Sequence, residues 1–147
     1  MILVLNAGSS SLKVEVFDLN LQSIVSGAVT NIGTEGELRL GDRLQSLTTH
    51  DHAEALDAML FALEDQSVSL TDLTAAAHRV VHGGTILTQP AKITDPVIKA
   101  IESCIPLAPL HNPNNLAAMI ALAKAAPELP QYASFGTAFH ATNPAVA

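Results

Sequence analysis

The chain is short of charge, and shorter still of positive charge. Of its 147 residues only 14% are charged, seven Lys or Arg against fourteen Asp or Glu, for a net charge of −7. Ordinary domains carry about 25%. The seven basic residues are scattered, so the electrostatic footprint of a nucleic-acid-binding protein is missing and no such partner is expected. A phosphate group is not excluded on that ground, because helix ends and backbone amides hold anions without net positive charge. Cysteine occurs once, at Cys104, which excludes an internal disulfide framework; its expected role is that of a small buried hydrophobe. Long apolar runs are missing too. The longest, Leu116 to Ala123, has eight residues, whereas a membrane span needs about 20. The opening MILVLN has neither the basic start nor the long apolar stretch of a signal peptide. A cytoplasmic location and no membrane partner are the expectation.

What the chain has in quantity is apolar side chains, 48% of the total. That composition excludes disorder, and a single domain of this length buries roughly 68–70% of its unfolded surface. A surface so poor in charge is expected to be covered in part by another domain or chain. The expected apolar patch lies around the 112–126 helix or the 132–139 segment.

Ile2–Leu5 is a short apolar run with the character of a buried strand. Ala7-Gly8-Ser9-Ser10-Ser11 interrupts it, and Leu12, Val14 and Val16 then alternate with polar residues as a second strand. Residues 22–30 read as a third strand, and Gly36 and Gly41 bracket a small extra hairpin. After Asp51 or His50, the spacing of Ala53, Leu56, Met59, Leu60 and Leu63 predicts an amphipathic helix. Ala75–Val81 is the next buried strand, closed by Gly83-Gly84. A helix follows Thr94 or Asp95 and runs to about Cys104. Another follows Asn112 with Pro113 in its first turn, its stripe being Leu116, Met119, Ile120 and Ala123. Tyr132–Phe135 is a last strand, broken by Gly136. The order βββ-α-β-α-α-β predicts an α/β domain with a mixed sheet flanked by helices.

Four stretches carry residues suited to chemistry. Asn6 to Lys13 joins two strands through Gly8 and three serines; the backbone amides and hydroxyls suit a phosphate, with Lys13 as a point charge, although Gly-Ser clusters also close ordinary hairpins. It is not a Walker A loop, which runs Gly-Lys-Ser/Thr into a helix. In His78-Arg79-Val80-Val81-His82-Gly83-Gly84, an arginine inside an apolar strand is costly unless paired or functional. Arg79 is either a planar fork for an anion or half of a structural ion pair. His78 and His82 share a face, either as a metal pair or as hydrogen-bonded core histidines. Pro106 to Pro113 is a rigid segment delivering His111 to a helix start, where the helix dipole favours a neutral imidazole; a simple capping neighbour is the other reading. Phe135 to His140 leaves a strand end, where α/β folds gather ligands. His50 and His52 read as solvated helix-entry residues.

NAGSSSLK at 6–13, HRVVHGG at 78–84, PLAPLHNP at 106–113 and TAFH at 137–140, in this order and spanning nearly the whole chain, resemble the acetokinase family of acetate, propionate and butyrate kinases. The resemblance implies a ribonuclease-H-like domain of the acetate-and-sugar-kinase, Hsp70 and actin superfamily. It implies phosphoryl transfer from ATP to a short-chain carboxylate, with Mg²⁺, and a homo-oligomer. By the same resemblance, Asn6 is a metal-site residue, Ser9, Ser11 and Lys13 form the phosphate-side loop, and Arg79 clamps the carboxylate. Val81 and Leu110 line the acyl pocket, and His111 stabilises the moving phosphoryl group. Two departures stand out. The family reads Phe-Asp-Thr-Ala-Phe-His where this chain has Phe135-Gly136-Thr137, so the catalytic aspartate position is Gly136. Family members are also more than twice as long. Residues 1–147 are thus expected to be the single N-terminal domain, with the second, nucleotide-binding domain absent and the isolated chain inactive. The alternative is a non-catalytic module of the same fold that binds a small anion or a protein partner. A sugar kinase or actin-like domain fits less well, because HRVVHGG and PLAPLHNP are acetokinase features.

Overall fold

In the computed structural model the described residues are 1–80, 91–94, 98–99 and 112–135. They form strands β1 (Ile2–Ala7), β2 (Leu12–Phe17), β3 (Ser23–Thr30), β4 (Glu35–Leu40) and β5 (Arg43–Thr48), then helix α1 (His52–Asp65). After a 3₁₀ turn at Leu70–Asp72 come β6 (Ala75–Val80), β7 (Ala91–Lys92), helix α2 (Asn112–Ala125) and β8 (Gln131–Phe135). One eight-stranded sheet runs in the order β5-β4-β3-β2-β1-β6-β8-β7. The first five strands form an antiparallel meander, while β1, β6 and β8 run parallel to one another. The sheet is mixed, as predicted; the Glu37–Leu40 stretch between Gly36 and Gly41 is not itself a hairpin but part of one strand, β4, which makes a hairpin with β5 across Gly41-Asp42. Its two-residue turn places Gly41 at φ 58°, a left-handed conformation that glycine adopts without cost. The two-residue strand β7, antiparallel to β8, was not foreseen.

Strand alternation divides the sheet into a buried and an open face. Leu3, Leu5 and Ala7 of β1, Leu12, Val14 and Val16 of β2, and Ala76 and His78 of β6 are buried, whereas Asn6, Lys13 and Arg79 are exposed. α1 and α2 touch each other and pack on the buried face. Asp51 caps α1, its carboxylate accepting from the Glu54 N–H at 2.9 Å, which satisfies one of the orphan donors of the first turn. α1 buries Leu56, Met59 and Leu63 as expected, joined by Ala55 and Ala62.

α2 departs from the predicted stripe. Leu116, Ala118, Met119 and Leu122 are buried, but Ile120 is 48% exposed and Ala123 faces solvent. The cause is the run itself: eight apolar residues in succession offer no polar face to fix the helix phase. Packing against α1 and the sheet decides it, and the small Ala118 and Ala121 are buried there too. Ile120 and Tyr132 are exposed apolar residues in the segments where a patch was expected. Others sit elsewhere, at Leu19, Leu21, Ile24, Leu44 and Phe61.

Gly27 sets how closely α1 approaches the meander. A Cβ there would lie 2.5 Å from the Arg39 carbonyl oxygen, 2.9 Å from Leu40 Cδ1 and 3.1 Å from Met59 Cε. Overpacking such a position costs ~1–3 kcal/mol. Urea denaturation of Gly27→Ala is expected to show a loss in that range, while Ser26→Ala, on the exposed face next door, stays within ~0.5 kcal/mol of the parent. Equal stabilities for Gly27→Ala and the parent would show that the contact yields freely.

Candidate functional site

Parallel strands carry their C-terminal ends to one edge of the sheet. β1 therefore runs out into the Gly8–Ser11 turn at the same edge where β6 and β8 end. Register lines up the exposed residues there. Asn6 is the direct cross-strand partner of Lys13, and Arg79 that of Ser134. The β1–β6 pairing runs as far as Leu5 beside His78; one step further sets Asn6 beside Arg79. Lys13, Asn6 and Arg79 thus form a row across β2, β1 and β6. With strands about 4.8 Å apart, the two cations stand on backbones about 10 Å apart with the amide between them. Among the described residues neither Lys13 nor Arg79 makes an ion pair. Arg79 is thus not the costly buried cation expected from its apolar strand. Its side chain points out of the open face, and the structural ion-pair reading finds no partner among the described residues.

The Gly8–Ser11 turn is held from behind. The Gly8 carbonyl accepts hydrogen bonds from His52 Nε2 at 2.7 Å and Asn114 Nδ2 at 3.1 Å. The Ser11 carbonyl accepts from Gly8 N–H at 2.9 Å and His52 Nε2 at 3.2 Å, and the Ser10 carbonyl from Ile32 N–H at 2.9 Å. In a trans peptide the N–H points opposite to the C=O, and no peptide here is cis. The Ser9 and Ser11 N–H groups are thereby turned away from the groups that hold the neighbouring carbonyls. Among the described residues neither has an acceptor. Both helices begin at this turn, through His52 and Asn114, and helix N-termini favour anions. The arrangement can hold a tetrahedral anion between outward backbone donors, serine hydroxyls and the Lys13–Asn6–Arg79 row.

His52 corrects the sequence reading. It is only 4% exposed, not solvated, and it lies on the α1 face of Leu56, Met59 and Leu63. That spacing, four and then seven residues on from His52, was the signal that it faces inward. His50 is exposed as expected and pairs with Glu54 at 2.9 Å, which raises its pKa through the hydrogen bond and charge of that carboxylate. His78 is 1% exposed, its Nε2–H donating to Gln131 Oε1 at 2.5 Å, and Gln131 Nε2–H donates to the Met119 carbonyl at 3.2 Å. It is a hydrogen-bonded core histidine. Gln131 and Asn114 were both missed by the sequence reading, since neither stands in a recognisable motif. Val81, His82, Cys104, Leu110, His111, Gly136 and His140 lie outside the described residues. So does most of the helix expected after Thr94, of which Ile98 N–H bonding to the Thr94 carbonyl at 2.9 Å belongs to the described part.

Among the described residues there is no group of three His, Cys, Asp or Glu side chains that could hold a metal ion. These residues do not build a closed cage. Asn6 supplies one neutral oxygen in the exposed row, which suits an Mg²⁺ that keeps its waters and arrives on phosphates. No helix among them is long and apolar enough to cross a membrane.

A mixed sheet with its ligand-suited groups at the shared end of parallel strands, and helices starting there, is the ribonuclease-H-like α/β architecture of carboxylate and sugar kinases, Hsp70 and actin. The chain belongs to the acetokinase family, whose model matches residues 1–147. It is 42% identical over 150 residues to an acetate kinase of Sulfurovum sp. (strain NBC37-1), covering 97% of this chain and 38% of that protein. It is 43% identical over 154 residues to an acetate kinase of Desulfitobacterium hafniense (strain DSM 10664 / DCB-2), covering 97% and 39%. Among solved structures, Porphyromonas gingivalis acetate kinase superposes with a TM-score of 0.89 at 35% identity, over 96% of this chain and 38% of that one. A propionate kinase from Francisella tularensis gives 0.86 at 35%, with the same coverages. The chain thus spans about two-fifths of the length of the relatives it matches.

Burial lowers the pKa of His78 from its ordinary 6.5 to about 4, against a smaller opposing effect of its bond to Gln131. The unfolded chain therefore binds a proton that the folded chain refuses, and stability falls as pH drops from 6.5 to 4. By linkage this amounts to about 3 kcal/mol. Urea midpoints measured across that window are expected to decline accordingly, and His78→Phe is expected to lack this part of the slope. An unchanged slope in His78→Phe would place the proton uptake elsewhere.

Proposed function

We propose that this chain is the N-terminal part of an acetate kinase, supplying the acceptor side and part of the phosphate side of a site that transfers a phosphoryl group from ATP to acetate or a similar short-chain acid. The observation that carries the reading is the exposed Lys13–Asn6–Arg79 row beside outward serine amides in a chain of net charge −7. Two of the seven cations stand unpaired, among the described residues, at the edge where β1 runs out into the Gly8–Ser11 turn. Phosphoryl transfer is mostly positioning and charge neutralisation, and that is what these groups offer. Arg79 grips the carboxylate with a bidentate fork, aiming an acid oxygen along the row. Lys13 and the Ser9 and Ser11 amides and hydroxyls hold the phosphate side, and Asn6 offers its oxygen to the metal. Mg²⁺, when bound, neutralises phosphate charge. Val81 and Leu110 shape the space for the acyl methyl group, and His111, one residue before α2, donates to the phosphoryl group in flight.

The adenosine pocket is assigned to the remaining three-fifths of the relatives' length, so the 147-residue chain alone is expected to form no acyl phosphate from ATP and acetate. A hydroxamate assay giving turnover in the usual ~1–10³ s⁻¹ range would overturn that. In a protein joining this chain to the rest of an acetokinase, Arg79→Ala is expected to lower kcat/KM for acetate by ~10²-fold or more, the scale of losing a transition-state hydrogen-bonding group. Its stability should stay within ~0.5 kcal/mol, as for an exposed side chain with no ion pair among the described residues. A large stability loss with acetate kinetics intact would sink the clamp.

Gly136 favours a second reading, a non-catalytic acetokinase-like module that binds an anion or a protein, because a glycine offers no carboxylate where the family has its catalytic aspartate. The same joined protein separates the two. Gly136→Asp is expected to raise activity by at least ~10²-fold if the site is otherwise complete, and to change nothing in a retired module.

A further inference from the structure

We infer that His52 is a positioning residue of the phosphate-side turn, acting through the Gly8 and Ser11 carbonyls to fix the outward direction of the Ser9 N–H. The inference rests on the reading of that turn as a phosphate site. His52 is the first residue of α1, 41 to 44 residues away from the turn in sequence, yet one imidazole nitrogen reaches both carbonyls, at 2.7 and 3.2 Å. Both acceptors are carbonyl oxygens, so Nε2 must carry the proton. A four-residue stretch containing glycine and three serines has little stiffness of its own. With the shorter of its two donors removed, the Gly8–Ser9 peptide is held less firmly and its N–H is less fixed in the outward direction. Asn114 bonds the same Gly8 carbonyl from α2. Among the described residues His52 is the one side chain that bonds both the Gly8 and the Ser11 carbonyls, adding to the Gly8 N–H bond to Ser11, and it also accounts for a buried polar side chain on an otherwise apolar helix face.

The test uses the ¹⁵N-labelled 147-residue chain, His52→Phe, which keeps a ring and removes the donor, and His52→Gln, which restores a side-chain N–H. In the parent, the imidazole ¹⁵N spectrum should show the Nε2–H form. In His52→Phe the Gly8 amide should exchange roughly tenfold faster or more, the scale of one lost hydrogen bond, while the Leu5 and Val14 amides change much less. His52→Gln should recover most of that protection. Inorganic phosphate should shift the Ser9 and Ser11 amides of the parent, with an affinity roughly tenfold weaker in His52→Phe and restored in His52→Gln. A folded His52→Phe with parental exchange at Gly8 would overturn the inference. If that variant does not fold, an Nδ1–H imidazole in the parent would overturn it. A selective change at the turn in chains that show no response to phosphate would keep His52 as the clamp and remove the phosphate reading instead.

Discussion

β1 must satisfy two kinds of neighbour at once. On one side it makes an antiparallel ladder with β2, on the other a parallel ladder with β6. An antiparallel partner needs only a short turn, and Gly8–Ser11 is that turn. A parallel partner needs a crossover, which brings a helix over the sheet and starts it at the edge where the strand ends. Both demands are met at the C-terminal end of β1. The turn, the start of α1 and the start of α2 are therefore within hydrogen-bond reach of one another, and Gly8 is bonded to both helices. The site is the place where this topology leaves backbone donors and exposed side chains together.

The core around that edge is apolar but not purely so. His52 and His78 are buried with partners, while Thr49 Oγ1 and Asn115 Nδ2 are buried without one among the described residues. An unpaired buried polar atom costs about 1–3 kcal/mol. Thr49 lies just before α1 and Asn115 in the first turn of α2, so both costs fall at the helix starts that meet the turn. Such local violations of the packing rules concentrate where a fold gives up stability for a site.

Much of the fold was legible. Alternation in Leu12–Val16, the spacing of Leu56, Met59 and Leu63, and Asp51 as a cap are local signals, and they gave the right elements. The phase of α2 was not legible, because an unbroken apolar run carries no contrast. β7 was not either, being two residues whose only support is a distant partner. At the site, Asn6, Lys13 and Arg79 stood out as chemical types, and their alignment in one row is a consequence of register, which no single segment encodes. Arg79 looked buried because its neighbours are apolar, whereas the face it occupies is open. His52 and Gln131 escaped because their partners lie 44 and 53 residues away. A side chain whose role is to bond a remote carbonyl or amide looks, in sequence, like any polar residue in an apolar stretch.

The His78–Gln131–Met119 chain does something for assembly as well as for the folded core. β6 and β8 are neighbours only after the intervening 50 residues have been made and packed. Two short strands, β6 with three alanines and β8 with one, could pair a residue out of step at small cost in apolar burial. A slip of one residue would turn Gln131 to the open face, strand the imidazole in a dry interior and empty the acceptor at Met119. The mispaired sheet thus loses two buried hydrogen bonds together, and the correct one gains them together. The triad works as a key that admits one alignment of the last parallel strand.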